Sequence, residues 1–231
     1  MRHLHHPRIR GGVLTGSLAI ATMFLGVPVA QAGALCVVGP GVSQTNTTVT
    51  GSNGNDTIDC GGASTAKTII GKAGNDTITG TAFSDTVKGG VGNDTITGGR
   101  GNDVLVGGGG SDTMTGSAGK DTLTGRAGND TMTGSSENDR LSGGRGEDTL
   151  SGGAGRDVAQ AGPGTDVANG GVGNDSVKGG TGPDTLNGDA GDDTLAGPSN
   201  DSSVDALNGG DGTDTCQGPG ADGDTLVSCN P

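Results

Sequence analysis

The sequence predicts an all-β solenoid built from 18-residue turns, each turn made of two nine-residue units. Three observations carry that prediction. Fourteen aspartates stand nine residues apart without a slip, from Asp76 and Asp85 through to Asp193. An apolar residue follows each of them two positions later, as Ile96 follows Asp94 and Leu105 follows Asp103. Glycines recur at the first and fourth positions of the unit Gly-x-x-Gly-x-Asp-x-apolar-x, as in Gly89 to Thr97 and Gly98 to Val106. A fixed period this short marks a repeat architecture, so 52 glycines in 231 residues are here the punctuation of a fold and not a linker.

Taken in chain order, the first element is an export signal. Arg2, Arg8 and Arg10 precede an apolar stretch from Val13 to Ala30, and Ala30-Gln31-Ala32 offers small residues for cleavage. Residues 1–32 therefore read as a secretory signal peptide. The stretch is interrupted by Gly16, Gly26 and Pro28 and is short for a span, which argues against stable membrane insertion. Leu35 before Cys36 does not fit a lipoprotein signal, so the expected product is released and extracellular.

Removal of that segment leaves ten basic residues against 26 acidic ones, a net charge of −16. Such a charge argues against binding nucleic acid through phosphate and calls for a cationic counter-ligand. His3, His5 and His6 all leave with the signal, and Phe83 is the one aromatic residue that stays. Serine and cysteine nucleophiles then have no histidine partner, and histidine-ligated zinc is excluded. Repeated identical aspartates single out no carboxylate pair for glycoside chemistry. An enzyme is not expected.

Residues 33–70 are expected to form an N-terminal cap with degenerate repeats. Gly51 to Ile58 is a good unit around Asp56, but the next unit carries Lys67 where aspartate belongs. Lys67 is read first as a decayed repeat position, with a built-in cation as the alternative.

The regular array covers residues 71–196. Triplets such as Thr95-Ile96-Thr97 place one apolar side chain between polar ones, a short strand facing inward at its centre. Two units then close one turn, and strands stack in parallel along the axis. One edge would carry Asp76, Asp94, Asp112, Asp130, Asp148, Asp166 and Asp184. The other would carry Asp85, Asp103, Asp121, Asp139, Asp157, Asp175 and Asp193. Burial of one Ile or Leu contributes about 1.5 to 3 kcal/mol, which offsets the ordering of one or two residues and not of nine. A divalent cation in each loop would supply what is missing. Carboxylate and carbonyl oxygens, with no thiolate or imidazole, favour calcium over zinc or copper, and over magnesium, which keeps its waters. The first- and fourth-position glycines are expected to take positive φ and turn carbonyls toward the ion.

These units resemble the Gly-Gly-x-Gly-x-Asp-x-apolar-x repeat of the RTX, or haemolysin-type, calcium-binding proteins, over Gly71 to Ala196. The resemblance implies a right-handed parallel β-roll with calcium held between loops of successive turns. By that resemblance the ligands would be the fourteen aspartates named above and Asp56, together with loop positions such as Gly71, Gly74, Gly89, Gly92, Gly98, Gly101, Gly107 and Gly110. Many members pair such repeats with a catalytic or pore-forming region and leave the cell without an N-terminal signal. Here neither is expected.

Departures from the pattern are informative. The fourth position is Phe83 and Glu137 in two units, both on the edge of Asp85 and Asp139, and a Cβ there is expected to disturb that row. The apolar position falls to Ala159 and Ala168 in consecutive units, the expected point of local opening. Residues 197–231 keep a looser pattern at Asp205, Asp214 and Asp224 and are expected to form a C-terminal cap. An even cysteine count in an exported chain predicts the pairs Cys36–Cys60 and Cys216–Cys229, since other pairings would span the solenoid. Asn-x-Thr sequons here mostly spell the repeat. Glycine-rich phosphate loops and EF-hand loops are absent from the sequence.

The expected function is that of a secreted calcium-binding repeat protein that folds as it binds. A calcium-rigidified structural or adhesive protein of the cell surface or wall is the alternative, and an unconventional hydrolase the third reading. The sequence names no protein or glycan partner.

Overall fold

The strand triplets form as the pattern dictates, and the backbone carries them further. Thr95–Arg100 and Thr113–Ala118 each run six residues, with Ile96 beside Met114 and Gly99 beside Ser117 in parallel register. The ladder skips the first-position glycines, Gly98 and Gly116. A three-residue strand was expected; the loop's second and third residues extend it because they too pair with the next turn. The computed structural model describes residues 35–197, 203–217 and 224–229. The expected signal peptide, residues 1–32, lies outside the described residues. Among the described residues there is no helix.

Strands alternate between two sheets of eleven, each joining units 18 residues apart in parallel. The first sheet contains Thr77–Thr79, Thr95–Arg100, Thr113–Ala118, Thr131–Ser136, Thr149–Ala154, Val167–Val172 and Thr185–Ala190. The second contains Thr68–Ala73, Thr86–Val91, Val104–Gly109, Thr122–Ala127, Arg140–Arg145, Val158–Pro163 and Ser176–Thr181. The fold is an all-β parallel solenoid.

Its core is one side chain per strand. Ile78, Ile96, Met114, Met132, Leu150, Ala168 and Leu186 form the column on the first sheet, and Ile69, Val87, Leu105, Leu123, Leu141, Ala159 and Val177 that on the second. Every one is buried. Ala159 and Ala168 stand in opposite columns in consecutive units, so apolar volume is lost from both walls together.

Both ends are closed differently from the middle. Val37–Val38 runs antiparallel to Thr57–Asp59, and Ser43–Gln44 antiparallel to Thr48–Thr50. These reversals cover the first turn, whose strand edges would otherwise be open. Gln44 fixes the reversal by accepting from the Cys36 N–H at 3.0 Å and donating to the Cys36 carbonyl at 3.2 Å. Cys36 is bonded to Cys60 and Cys216 to Cys229, across 24 and 13 residues, the pairing expected. Closures of that length are worth roughly 3 kcal/mol each.

Positive φ falls on the second and fourth positions of the loop, not on the first and fourth as expected. Gly90 and Gly92 are at 130° and 128°, and Gly99 and Gly101 at 117° and 110°, while Gly89 and Gly98 stay outside that region. At the second position several units place a side chain in this strained conformation, including Lys72 at 93°, Ser117 at 89°, Arg126 at 89° and Ser135 at 94°. Replacing Ser117 with Gly should therefore raise the urea or thermal midpoint, by about 1 kcal/mol after the greater unfolded-state freedom of glycine is deducted. An unchanged or lowered midpoint would show that the backbone is relaxed there.

Candidate metal centre

The loops carry the aspartates to the two edges where the sheets meet. Asp56, Asp76, Asp94, Asp112, Asp130, Asp148, Asp166 and Asp184 form one column, and Asp205 and Asp224 extend it. Asp85, Asp103, Asp121, Asp139, Asp157, Asp175 and Asp193 form the other, extended by Asp214. The rule along each column is the same. The backbone N–H of one aspartate donates to Oδ1 of the aspartate one turn on, at 2.7 to 3.0 Å. All fifteen aspartates expected as ligands are buried, none more than 5 % exposed.

That bond satisfies one carboxylate oxygen. In Asp76, Asp94, Asp103, Asp112, Asp121, Asp130, Asp139, Asp148, Asp157, Asp166, Asp175 and Asp193, the second oxygen, Oδ2, is buried without a hydrogen-bond donor. In every one of these units but that of Asp166, whose first residue is Ala161, it lies over the first-position glycine. A Cβ on Gly89 would collide with the Asp94 carboxylate, and one on Gly125 with both Asp130 Oδ2 and the Gly143 carbonyl of the next turn. The first position is thus kept small for space and not for φ; the one side chain it carries in the array is the buried methyl of Ala161, in the unit of Asp166. Over Gly71, likewise, Asp76 Oδ2 and the Gly89 carbonyl oxygen converge.

Two kinds of acceptor meeting in a place without donors make a site for a cation. Among the described residues no three carboxylates, imidazoles or thiols cluster, so an ion here would be held by one or two carboxylates and by carbonyls. That donor set suits calcium, whose shell is large, flexible and made of oxygen. The residues fit the ion that the sequence called for.

The electrostatics report the same deficit. Burial pushes the carboxyls of Asp103, Asp112 and Asp139 up to about 7, although the N–H bond from the preceding turn works the other way, and neighbouring carboxylates add to the rise. Asp130, Asp166 and Asp175 are pushed up to about 6 by the same burial. Asp76, Asp94, Asp121, Asp148, Asp157 and Asp193 are raised as well. Burial thus shifts the balance of these carboxyls toward the protonated form when no cation is bound.

Two of the expected ligands are built differently. Asp85 Oδ2 accepts from the Thr81 N–H at 2.5 Å, while Thr81 Oγ1 donates to Asp85 Oδ1 at 3.1 Å. Asp56 has the same arrangement, with Ser52 N–H 2.6 Å from Oδ2 and the Ser52 hydroxyl beside it. In each loop a hydroxyl residue at the second position satisfies the oxygen left bare elsewhere. Phe83, which follows Thr81, does not take positive φ, so this loop departs from the regular form as its sequence implied. Glu137 corrects the matching expectation. It adopts a φ of 74° and Asp139 keeps both its column bond and its bare Oδ2, so the second edge is altered at its start and regular in its middle. Lys67 stands at the head of that edge, buried, with its N–H donating to Asp85 Oδ1 at 2.5 Å and its ammonium bonded to the Asn46 carbonyl and Thr65 Oγ1.

An outer column accompanies the aspartates and was not foreseen. Where the residue before the aspartate is asparagine or serine, its side chain commonly accepts the N–H of its counterpart one turn on, as Asn75 does for Asn93 at 3.0 Å and Asn102 for Lys120 at 3.0 Å. The frequency of asparagine in that position was the available signal; it was read only as a false sequon.

Two outcomes follow from this geometry. Gly89→Ala should displace the Asp94 carboxylate and lower both the stability and the calcium response of the protein. Gly109→Ala, whose Cβ meets nothing within 4 Å, should change neither; equal effects in urea and calcium titrations would refute the role given to the first glycine. The second concerns pH. The raised carboxyls bind protons more tightly folded than unfolded, so in excess chelator stability is full below about pH 4 and falls as pH rises to about 7. Far-UV dichroism with chelator should show less β-structure at neutral pH than at pH 4, and calcium should abolish the difference.

No curated protein matches the chain. The RTX calcium-binding nonapeptide repeat matches residues 43–63, 70–105, 106–141, 133–168, 142–177 and 169–197, more than half of the sequence. Lys67 falls in the gap between the first two segments. With aspartates, glycines and strands all in the register of that repeat, the chain belongs to the RTX calcium-binding nonapeptide repeat family.

Proposed function

We propose that the protein is a secreted calcium-binding β-roll whose folding is coupled to the ion. The observation that carries the proposal is the file of buried carboxylate oxygens without donors, many of them, as at Asp76, Asp103, Asp130 and Asp148, beside a carbonyl oxygen of the next turn. The bare aspartates of both edges would hold the ions, with the carbonyls of loop positions such as Gly71, Gly74, Gly89, Gly92, Gly98, Gly101, Gly107 and Gly110 completing the shell. Calcium supplies positive charge that offsets the carboxylates and joins successive turns. Asp56 and Asp85, already satisfied by Ser52 and Thr81, would bind weakly.

Coupling follows from the same oxygens. An isolated buried carboxylate costs several kcal/mol and is avoided by protonation, by a counter-ion, or by not folding. At neutral pH and low calcium the last applies, while at the millimolar levels outside cells the second does. The export reading of residues 1–32 places the protein there, and RTX repeat proteins are typically extracellular. We assign residues 33–70 and 197–231 to the caps and 71–196 to the ion-binding array.

A second reading has its own support. The family is typically structural and not catalytic, and the columns of threonine on the first sheet, Thr77, Thr95, Thr113, Thr131 and Thr149, form a polar outer face in register. Such a rod, rigidified by calcium, would serve as an adhesive or structural element, and retention in the cell wall on fractionation would favour that role over free release.

The proposal is tested by following far-UV dichroism of the chain without residues 1–32 as calcium or magnesium is added. A cooperative gain of β-structure is expected with calcium at roughly 10⁻⁴ to 10⁻³ M and a far weaker one with magnesium. Complete β-structure in excess chelator at neutral pH would show that the ion does not drive folding.

A further inference from the structure

The exposed charge of the roll is divided between its two sheets in a way that net charge conceals. On the outer face of the second sheet stand Lys72, Lys88, Arg126, Arg140, Arg145 and Lys178, all exposed, and among its described strands there is no acidic residue. The strands of the first sheet carry Arg100 against Asp59 and Asp189. The ten basic residues of the exported chain are thus gathered mainly onto one of two faces. None of the six makes a side-chain hydrogen bond or ion pair among the described residues.

Their placement is linear. The seven second-sheet strands from Thr68–Ala73 to Ser176–Thr181 are stacked in register, five of them bearing a cation, over roughly 29 Å at ordinary strand spacing. A shallow depression lined by Arg126, Ser142, Arg145 and Gln160 adjoins a second lined by Gln160, Lys178 and Gln217, so a groove crosses the later strands of this sheet, with Lys72 and Lys88 on the same face beyond it. Lys72 and Arg126 occupy the second loop position at φ of 93° and 89°, a conformation they share with Ser117, Ser135 and Asp189, while most units have glycine there.

We propose that this groove binds a linear polyanionic glycan lying along the solenoid axis. The guanidinium and ammonium groups would meet its sulfate or carboxylate groups, arginine doing so with paired donors. Ser142, Gln160 and Gln217 supply the donors and acceptors that hydroxyls require. A nucleic acid is a poorer fit because the face has no aromatic side chain on which a base could stack. A membrane is poorer too: the large exposed apolar residues on this sheet are Val91 and Val104, with no aromatic or leucine to enter the interface. The buried acidic columns lie at the edges, the Asp130 carboxylate against Gly125 beside Arg126, and present no surface to a partner. The proposal needs the roll folded, but not folded by calcium.

The test measures binding of the folded chain to dextran sulfate in millimolar calcium, with neutral dextran, duplex DNA and phosphatidylglycerol vesicles as separate arms. The variant R126Q/R145Q/K178Q changes three exposed side chains of the groove, and R100Q changes the opposite face. Dextran sulfate is expected to bind in a salt-dependent manner, with the triple variant weaker by at least about tenfold and R100Q unchanged. Unaltered binding by the triple variant, an equal loss in R100Q, or tighter binding of DNA or vesicles than of dextran sulfate would each overturn the proposal. Dichroism on the same samples establishes that the variants are folded. Should the chain prove folded in chelator, the same titration is run there, so failure of the calcium reading does not decide this one.

Discussion

One hydrogen bond sets the terms for the rest of the molecule: an aspartate N–H donating to the carboxylate of the aspartate one turn on. Because it satisfies Oδ1 alone, it draws the carboxylate indoors and leaves Oδ2 there without a partner. The first-position glycine is small because that oxygen lies against it. The carboxyls are raised because burial outweighs the single bond they receive. The deficit of positive charge is therefore built into the backbone register, and the loop carbonyls that converge on the same place deepen it.

A structure assembled in this way is close to one-dimensional. Each turn touches the turns above and below, so stability is a sum of units and interfaces, and ends and weak units matter out of proportion. The N-terminal end meets this with two antiparallel reversals and the Cys36–Cys60 bond, and the C-terminal end with Cys216–Cys229. Ser52 and Thr81 show another solution near the start of the array. A side chain of the loop supplies the donors that an ion would otherwise replace, at the cost of the regular loop conformation. In those first turns Asp56 and Asp85 therefore have both carboxylate oxygens bonded within the protein.

Much of this was legible because the period is exact in number and chemically simple. Strand centres, the two aspartate edges, the thin core at Ala159 and Ala168 and the disulfide pairing all follow from spacing. What escaped was whatever depends on backbone shape. Positive φ belongs to the second position, and Lys72, Ser117 and Arg126 tolerate it, so a pattern of glycine could not reveal it. Glu137 was read as a defect because a Cβ is usually excluded at positive φ; at 74° a long polar side chain fits by pointing to solvent. Thr81 looked like one more polar residue until its hydroxyl and amide were found on Asp85. The ion-binding role of the aspartates was legible as chemistry, through an all-oxygen donor set, but which two of them are self-satisfied was not.

Charge shows best why position outweighs composition. The sequence carries a formal −13, or −16 without residues 1–32, and from that figure alone a polyanion is the last partner to expect. Yet fourteen of the acidic groups are the buried column of the regular array, facing carbonyls at the edges, and bound calcium would cancel most of what they contribute outside. The surface a partner meets is set by the few side chains at the outward positions. In a nine-residue repeat those positions alternate between sheets from one unit to the next, so residues 18 apart share a face and residues nine apart do not. Lys88 and Lys178 lie five turns apart yet stand on the same sheet, whereas Arg100, closer to Lys88 in sequence, stands on the other. A polyanion-binding face and a strongly negative chain are compatible once the negative charge is seen as the ion's half of the structure and the exposed cations as the remainder.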